Sequence, residues 1–187
     1  MEYIEDQTLT ELPAQLSEVE FTEVIFKNID FKESYITGCL FIDCKFENCN
    51  LSNSKFPGCT FRDTSFKSSR VSGINWTEAS NLVSFNFDDC QINYSVFLGM
   101  NLDNFKCINS QAKGCDFSEC SLKNADFSKT DLSETSFHHA NLEKASFSDA
   151  KQYYIDPSVT KLKDAVFSYP EALSLLNSFK IKIDNLS

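Results

Sequence analysis

Large apolar residues recur at every fifth position of this chain, with polar residues between them. The first run is Phe21, Phe26, Phe31, Ile36, Phe41, Phe46, Leu51, Phe56, Phe61, Phe66, Val71 and Trp76. After one extra residue it resumes as Leu82, Phe87, Ile92, Phe97, Leu102, Cys107, Ala112, Phe117, Leu122, Phe127, Leu132, Phe137, Leu142 and Phe147. The residue two before each centre is also small or apolar, as at Cys39, Cys44, Cys49, Ser54, Cys59, Ala125, Thr130, Thr135, Ala140 and Ala145. Steps of five advance about 140° on an α-helix, which would scatter the phenylalanines round the cylinder. On a continuous strand an odd period would flip the pattern to the other face at every repeat. A short extended piece followed by a turn satisfies both positions, and its repetition winds a solenoid filled by them.

Ala125-Asp126-Phe127-Ser128-Lys129, Ala140-Asn141-Leu142-Glu143-Lys144 and Ala145-Ser146-Phe147-Ser148-Asp149 resemble the A(D/N)LXX repeat of pentapeptide repeat proteins. The resemblance implies an all-β solenoid, a right-handed quadrilateral β-helix with four repeats per coil. Residues 20 apart then stack. One column reads Phe26, Phe46, Phe66, Phe87, Cys107, Phe127 and Phe147; another reads Ile36, Phe56, Trp76, Phe97, Phe117 and Phe137. The two weak centres, Cys107 and Ala112, lie beside bulky Met100 and Phe105, which are expected to fill the space.

Residues 1–20 precede the beat and are expected to form an irregular N-terminal cap, with Leu12-Pro13 and Leu16 over the first coil. The solenoid is expected over 21–169, with a one-residue slip near 77–81 read as a bulge or bend. Residues 170–187 change character. Pro170-Glu171 reads as a helix start, followed by Ala172, Leu173, Leu176 and Phe179 at helical spacing. Phe179-Lys180-Ile181-Lys182-Ile183 alternates as a short strand. This C-terminal helix is expected to cap the last coil, with Leu173, Leu176 and Phe179 as candidates for a dimer contact.

The chain carries a net charge of −10. Seven acidic residues and no basic one fall in the first 23 positions, and residues 71–105 contain Glu78, Asp88, Asp89 and Asp103 but no Lys or Arg. That sign argues against direct nucleic-acid binding. The N-terminus has neither a basic start nor an apolar run, and no segment reaches membrane-spanning length, so a cytoplasmic protein without membrane contact is expected. Seven of the eight cysteines occupy the position two before a centre and Cys107 is itself a centre, where a small hydrophobe fits. Their spacing matches no zinc pattern. His138 and His139 lie in a turn without a partner, and no glycine-rich phosphate loop occurs. No catalytic residue, metal ligand or cofactor site is expected.

Gly73-Ile74-Asn75-Trp76-Thr77, Tyr154-Ile155-Asp156 and the stretch from Phe167-Ser168-Tyr169-Pro170-Glu171 to Ser178 are similar to the albicidin-resistance, Qnr and MfpA group of pentapeptide repeat proteins. That resemblance implies a homodimer joined at its C-terminal ends, acting as a duplex-DNA mimic on DNA gyrase or topoisomerase IV and protecting it from topoisomerase poisons. Here Glu78, Asp88, Asp89 and Asp103 are the candidate contacts, as the acidic residues of the one rod segment without a basic residue. The competing expectation is a generic interaction scaffold with an unrelated protein partner.

Overall fold

A computed structural model describes residues 2–179 and 181. The chain winds as a right-handed quadrilateral β-helix of about eight turns, closed by one short helix at the C-terminal end. Its first face carries β1 (Glu2–Glu5), β3 (Val19–Thr22), β5 (Leu40–Ile42), β7 (Thr60–Arg62) and β9 (Asn81–Val83), all parallel and in that order. The second carries β2 (Thr8–Leu9), β4 (Ile25–Lys27), β6 (Lys45–Glu47), β8 (Ser65–Lys67), β10 (Asn86–Asp88) and β11 (Lys106–Ile108). A final pair, β12 (Ser146–Phe147) and β13 (Val166–Phe167), continues the second face. The third and fourth faces are joined by single bridges such as Asn50 to Arg70 and Val96 to Asp116.

The turn explains why five residues suffice. The residue two after each centre except Trp76 adopts a left-handed backbone, as at Asp43 (φ 52°), Asn53 (φ 57°) and Lys129 (φ 60°). All five glycines stand at this position, where the absent Cβ removes the steric cost. In the tighter turns the next N–H returns to the carbonyl of the centre, as from Ser34 to Phe31 at 2.9 Å. The chain thereby rotates onto the next face while centres and their i−2 partners keep pointing inward.

The interior is a set of stacked columns. Phe26, Phe46, Phe66 and Phe87 stack at centroid distances of 4.5, 4.8 and 5.0 Å. Cys107 interrupts this stack, and the expected compensation is present. Phe105 is buried and lies 5.8 Å from both Phe87 and Phe127. Met100 packs against the core from a half-buried position. Phe56 and Trp76 stack at 5.3 Å, nearly parallel.

Small i−2 side chains also have a polar task. Ser54 Oγ donates to the Phe31 carbonyl at 2.7 Å, Thr130 Oγ1 to Cys107 at 2.6 Å and Cys120 Sγ to Phe97 at 2.9 Å. Each ties a centre to the coil that follows it. Ser, Thr and Cys are interchangeable here because each is small and carries one donor.

Two expectations change at the ends. Residues 1–20 are not wholly irregular: β1 pairs in register with β3, and β2 with β4. The beat hides this because Ile4 and its partner Phe21 are 17 residues apart instead of 20. At the other end, Glu171–Phe179 forms a helix of 3-10 geometry. The expected strand over 179–183 falls largely on residues outside those described. Among the described residues, no helix is long and apolar enough to cross a membrane.

Candidate partner-binding surface

The four predicted contact residues do not form one patch. Glu78 ends a 3-10 turn, Trp76–Glu78, at the corner between the fourth and first faces. Asp88 and Asp89 turn the chain from the second face to the third, the diagonally opposite corner. Asp103 lies between the first and second faces, one coil further on. Its Oδ1 accepts from Ser121 Oγ at 2.6 Å and from the Lys123 N–H at 3.1 Å, so the carboxylate ties two coils together. Asp89 accepts from Ser68 Oγ at 2.8 Å.

A different set of carboxylates does line up. Asp6, Glu23, Asp43 and Asp63 occupy the same left-handed corner of four successive coils, between the first and second faces. Their backbone N–H groups donate in turn to Thr22, Ile42, Arg62 and Val83, which fixes the stacking. All four are exposed. Neighbouring coils of a β-solenoid are ~4.8 Å apart, so the corner presents one carboxylate per coil in a straight column. Beyond Asp63 the corner continues as Ser84, Asn104, Asn124, Lys144 and Asp164. The same face then bears Lys123, Lys161 and Lys163. The unbroken run of carboxylates at this corner is confined to the N-terminal half. A 20-residue spacing in the sequence is the signal for Glu23, Asp43 and Asp63; Asp6 escapes it because of the shorter first coil.

At the C-terminal end, Leu173 and Leu176 are half-buried and Phe179 is exposed. A 3-10 helix has three residues per turn, so these three fall on one line along it. Leu175, on a different line of the helix, packs against the core. Val166 and Tyr169 are further exposed apolar groups close by in the chain.

Apart from Cys39, whose thiol is drawn down to about 7 by the Cys59 side chain, the cysteines are chemically quiet. Burial pushes Cys44 and Cys120 up to about 11, and Cys90 and Cys115 up to about 12. These thiols stay protonated in the fold and ionise near their ordinary value when unfolded. The unfolded chain therefore binds fewer protons above pH 9, and stability falls as pH rises from there. Urea midpoints should drop between pH 8 and pH 10, by the equivalent of roughly 1 kcal/mol for each such thiol. Replacing Cys90 and Cys115 by Ser should flatten that slope; an unchanged slope would assign it to other groups. Among the described residues no cluster of His, Cys, Asp or Glu is placed to hold a metal ion.

Two family models match the chain: a pentapeptide repeat region over residues 39–117, and pentapeptide repeats over 14–53 and 113–150. No curated protein sequence matches it. Among solved structures, a trypsin-treated form of QnrB1, a plasmid-mediated fluoroquinolone resistance protein, superposes with a TM-score of 0.65 at 15% identity. That alignment covers 97% of each chain. HetL, involved in heterocyst differentiation regulation in the cyanobacterium Nostoc, superposes with a TM-score of 0.56 at 15% identity, covering 89% of this chain and 83% of its own. At such identities the likeness speaks for the fold. The two models together span residues 14–150, and the chain belongs to the pentapeptide repeat family.

Proposed function

We propose that this protein is a non-enzymatic, cytoplasmic DNA mimic that binds DNA gyrase or topoisomerase IV and protects it from topoisomerase poisons. The column Asp6–Glu23–Asp43–Asp63 is the observation that carries the reading. Regularly spaced carboxylates on a straight rod offer a basic DNA-binding surface what a duplex backbone offers it. The fold likeness to QnrB1 supports the same direction. Leu173, Leu176 and Phe179 form the contact of a C-terminal homodimer, which doubles the rod's length about a two-fold axis.

The test is a gyrase supercoiling assay with and without a fluoroquinolone. Excess protein should inhibit supercoiling, and lower amounts should reduce drug-induced cleavage. Converting Glu23, Asp43 and Asp63 to their amides should weaken gyrase binding by roughly tenfold or more, with a shallower salt dependence. The same change at Glu78, Asp88, Asp89 and Asp103 should matter less, because those groups are dispersed. Sedimentation should show a dimer that becomes a monomer on Leu176→Asp with Phe179→Asp. The competing scaffold reading draws on the lysines of the C-terminal half. It is favoured if the protein has no effect on supercoiling and the column variants bind as well as the parent.

A further inference from the structure

The parallel ladder of the first face runs without interruption from β1 to β9 and then stops. Phe61 and Leu82 are partners 21 residues apart, so the extra residue of the slip is absorbed just before β9. Among the described residues no bridge joins Asn81 to Asn101, although Asn101 pairs with Ser121 in the next coil. The bonds that the repeat would form from the Leu82 N–H to Asn101 and from the Ser84 N–H to Asp103 are missing. Their counterparts one coil later, Leu102 to Ser121 at 2.7 Å and Asn104 to Lys123 at 2.8 Å, are present. The second and third faces remain paired across the same two coils. A cleft of about 510 Å³ lies at the gap, between Asn81–Asn86 and Asn101–Lys106. Leu82 and Leu102 form its apolar floor, and Val83 is 43% exposed beside it.

We propose that this cleft is a docking site for an extended peptide segment of a partner protein, which adds as a strand to the open edge at Leu82 and Ser84. An unpaired strand edge is a template for backbone hydrogen bonding. The edge here lies within the rod, above an apolar floor that takes a branched aliphatic side chain. Glu78 stands at the corner just before β9 and Asp103 lines the cleft toward its other end, with Lys106 beyond it on the second face, so charge complementarity selects a segment with Lys or Arg at its ends. The site lies one coil beyond Asp63, the last carboxylate of the acidic column, and does not depend on gyrase being the partner.

The experiment uses the full chain and a capped synthetic hexapeptide, Lys-Val-Thr-Val-Thr-Lys, with amide hydrogen exchange as readout. In the free protein the Leu82 and Ser84 amides should exchange far faster than the paired amide of Leu102. The peptide should slow them by roughly tenfold or more. Deleting Ala79 leaves Trp76-Thr77-Glu78-Ser80-Asn81-Leu82, which restores the five-residue beat. It should protect both amides without peptide and abolish the peptide effect. Unchanged exchange at Leu82 and Ser84 in the parent protein on adding peptide overturns the proposal, whether or not the deletion variant folds. Protection appearing equally at the terminal edge of β1 also overturns it, as non-specific edge pairing. So does undiminished peptide binding by a folded deletion variant.

Discussion

Phe66→Ala should destabilise the rod by about 3–5 kcal/mol. Phe66 is almost fully buried and stacks on Phe46 at 4.8 Å and Phe87 at 5.0 Å, with Phe85 edge-on at 5.2 Å. Truncation removes the ring and leaves a void that stacked neighbours cannot close, because each is held in register by its own coil's backbone ladder. A shift of the urea midpoint at constant m-value would report the loss. A cost below about 1 kcal/mol would mean that the columns repack and that register is not set by the aromatic stack.

Gly114→Val should be the second most damaging single change discussed, at about 2–3 kcal/mol. Gly114 has φ +63°, and a Cβ there would lie 2.7 Å from Cδ1 and Cε1 of Tyr94 one coil below. Part of the cost is backbone strain, which a β-branched residue feels most. The rest is the clash, which an exposed tyrosine relieves by swinging away. Adding Tyr94→Ala to Gly114→Val should recover the clash and leave the strain. Thermal midpoints of the two single variants and the double variant separate these contributions. Full recovery in the double variant would show that the left-handed corner costs valine nothing.

Most of the fold was legible because one signal, apolar residues at spacing five, coincides with one structural unit. The slip near Ala79 was visible as a break in that beat. Its result was not, because whether a coil of 21 residues bulges locally or opens a ladder depends on where the strands above re-pair. The first coil was invisible for a related reason: Ile4 and Leu9 sit in the right columns but out of phase. The interaction surface was read from local composition, which selected Glu78, Asp88, Asp89 and Asp103. A binding face on a solenoid is assembled across coils, from residues one coil apart. At the C-terminus, helical spacing led to Leu173, Leu176 and Phe179, while Leu175 is the residue that anchors the cap to the core.

The corners of this rod hold many residues that are poor occupants of a left-handed backbone. Asn and Asp accept φ near +55° at modest cost, but Glu23, Tyr94, Lys129 and Lys144 stand there as well. Each such residue forgoes up to about 1 kcal/mol relative to glycine. The molecule thus keeps an unused reserve of stability distributed along its edges, which substitution by glycine or asparagine would release. Glu23 shows what that reserve is exchanged for. The backbone at that corner favours a small residue, yet a long carboxylate extends the acidic column there, so surface charge has taken precedence over conformational ease.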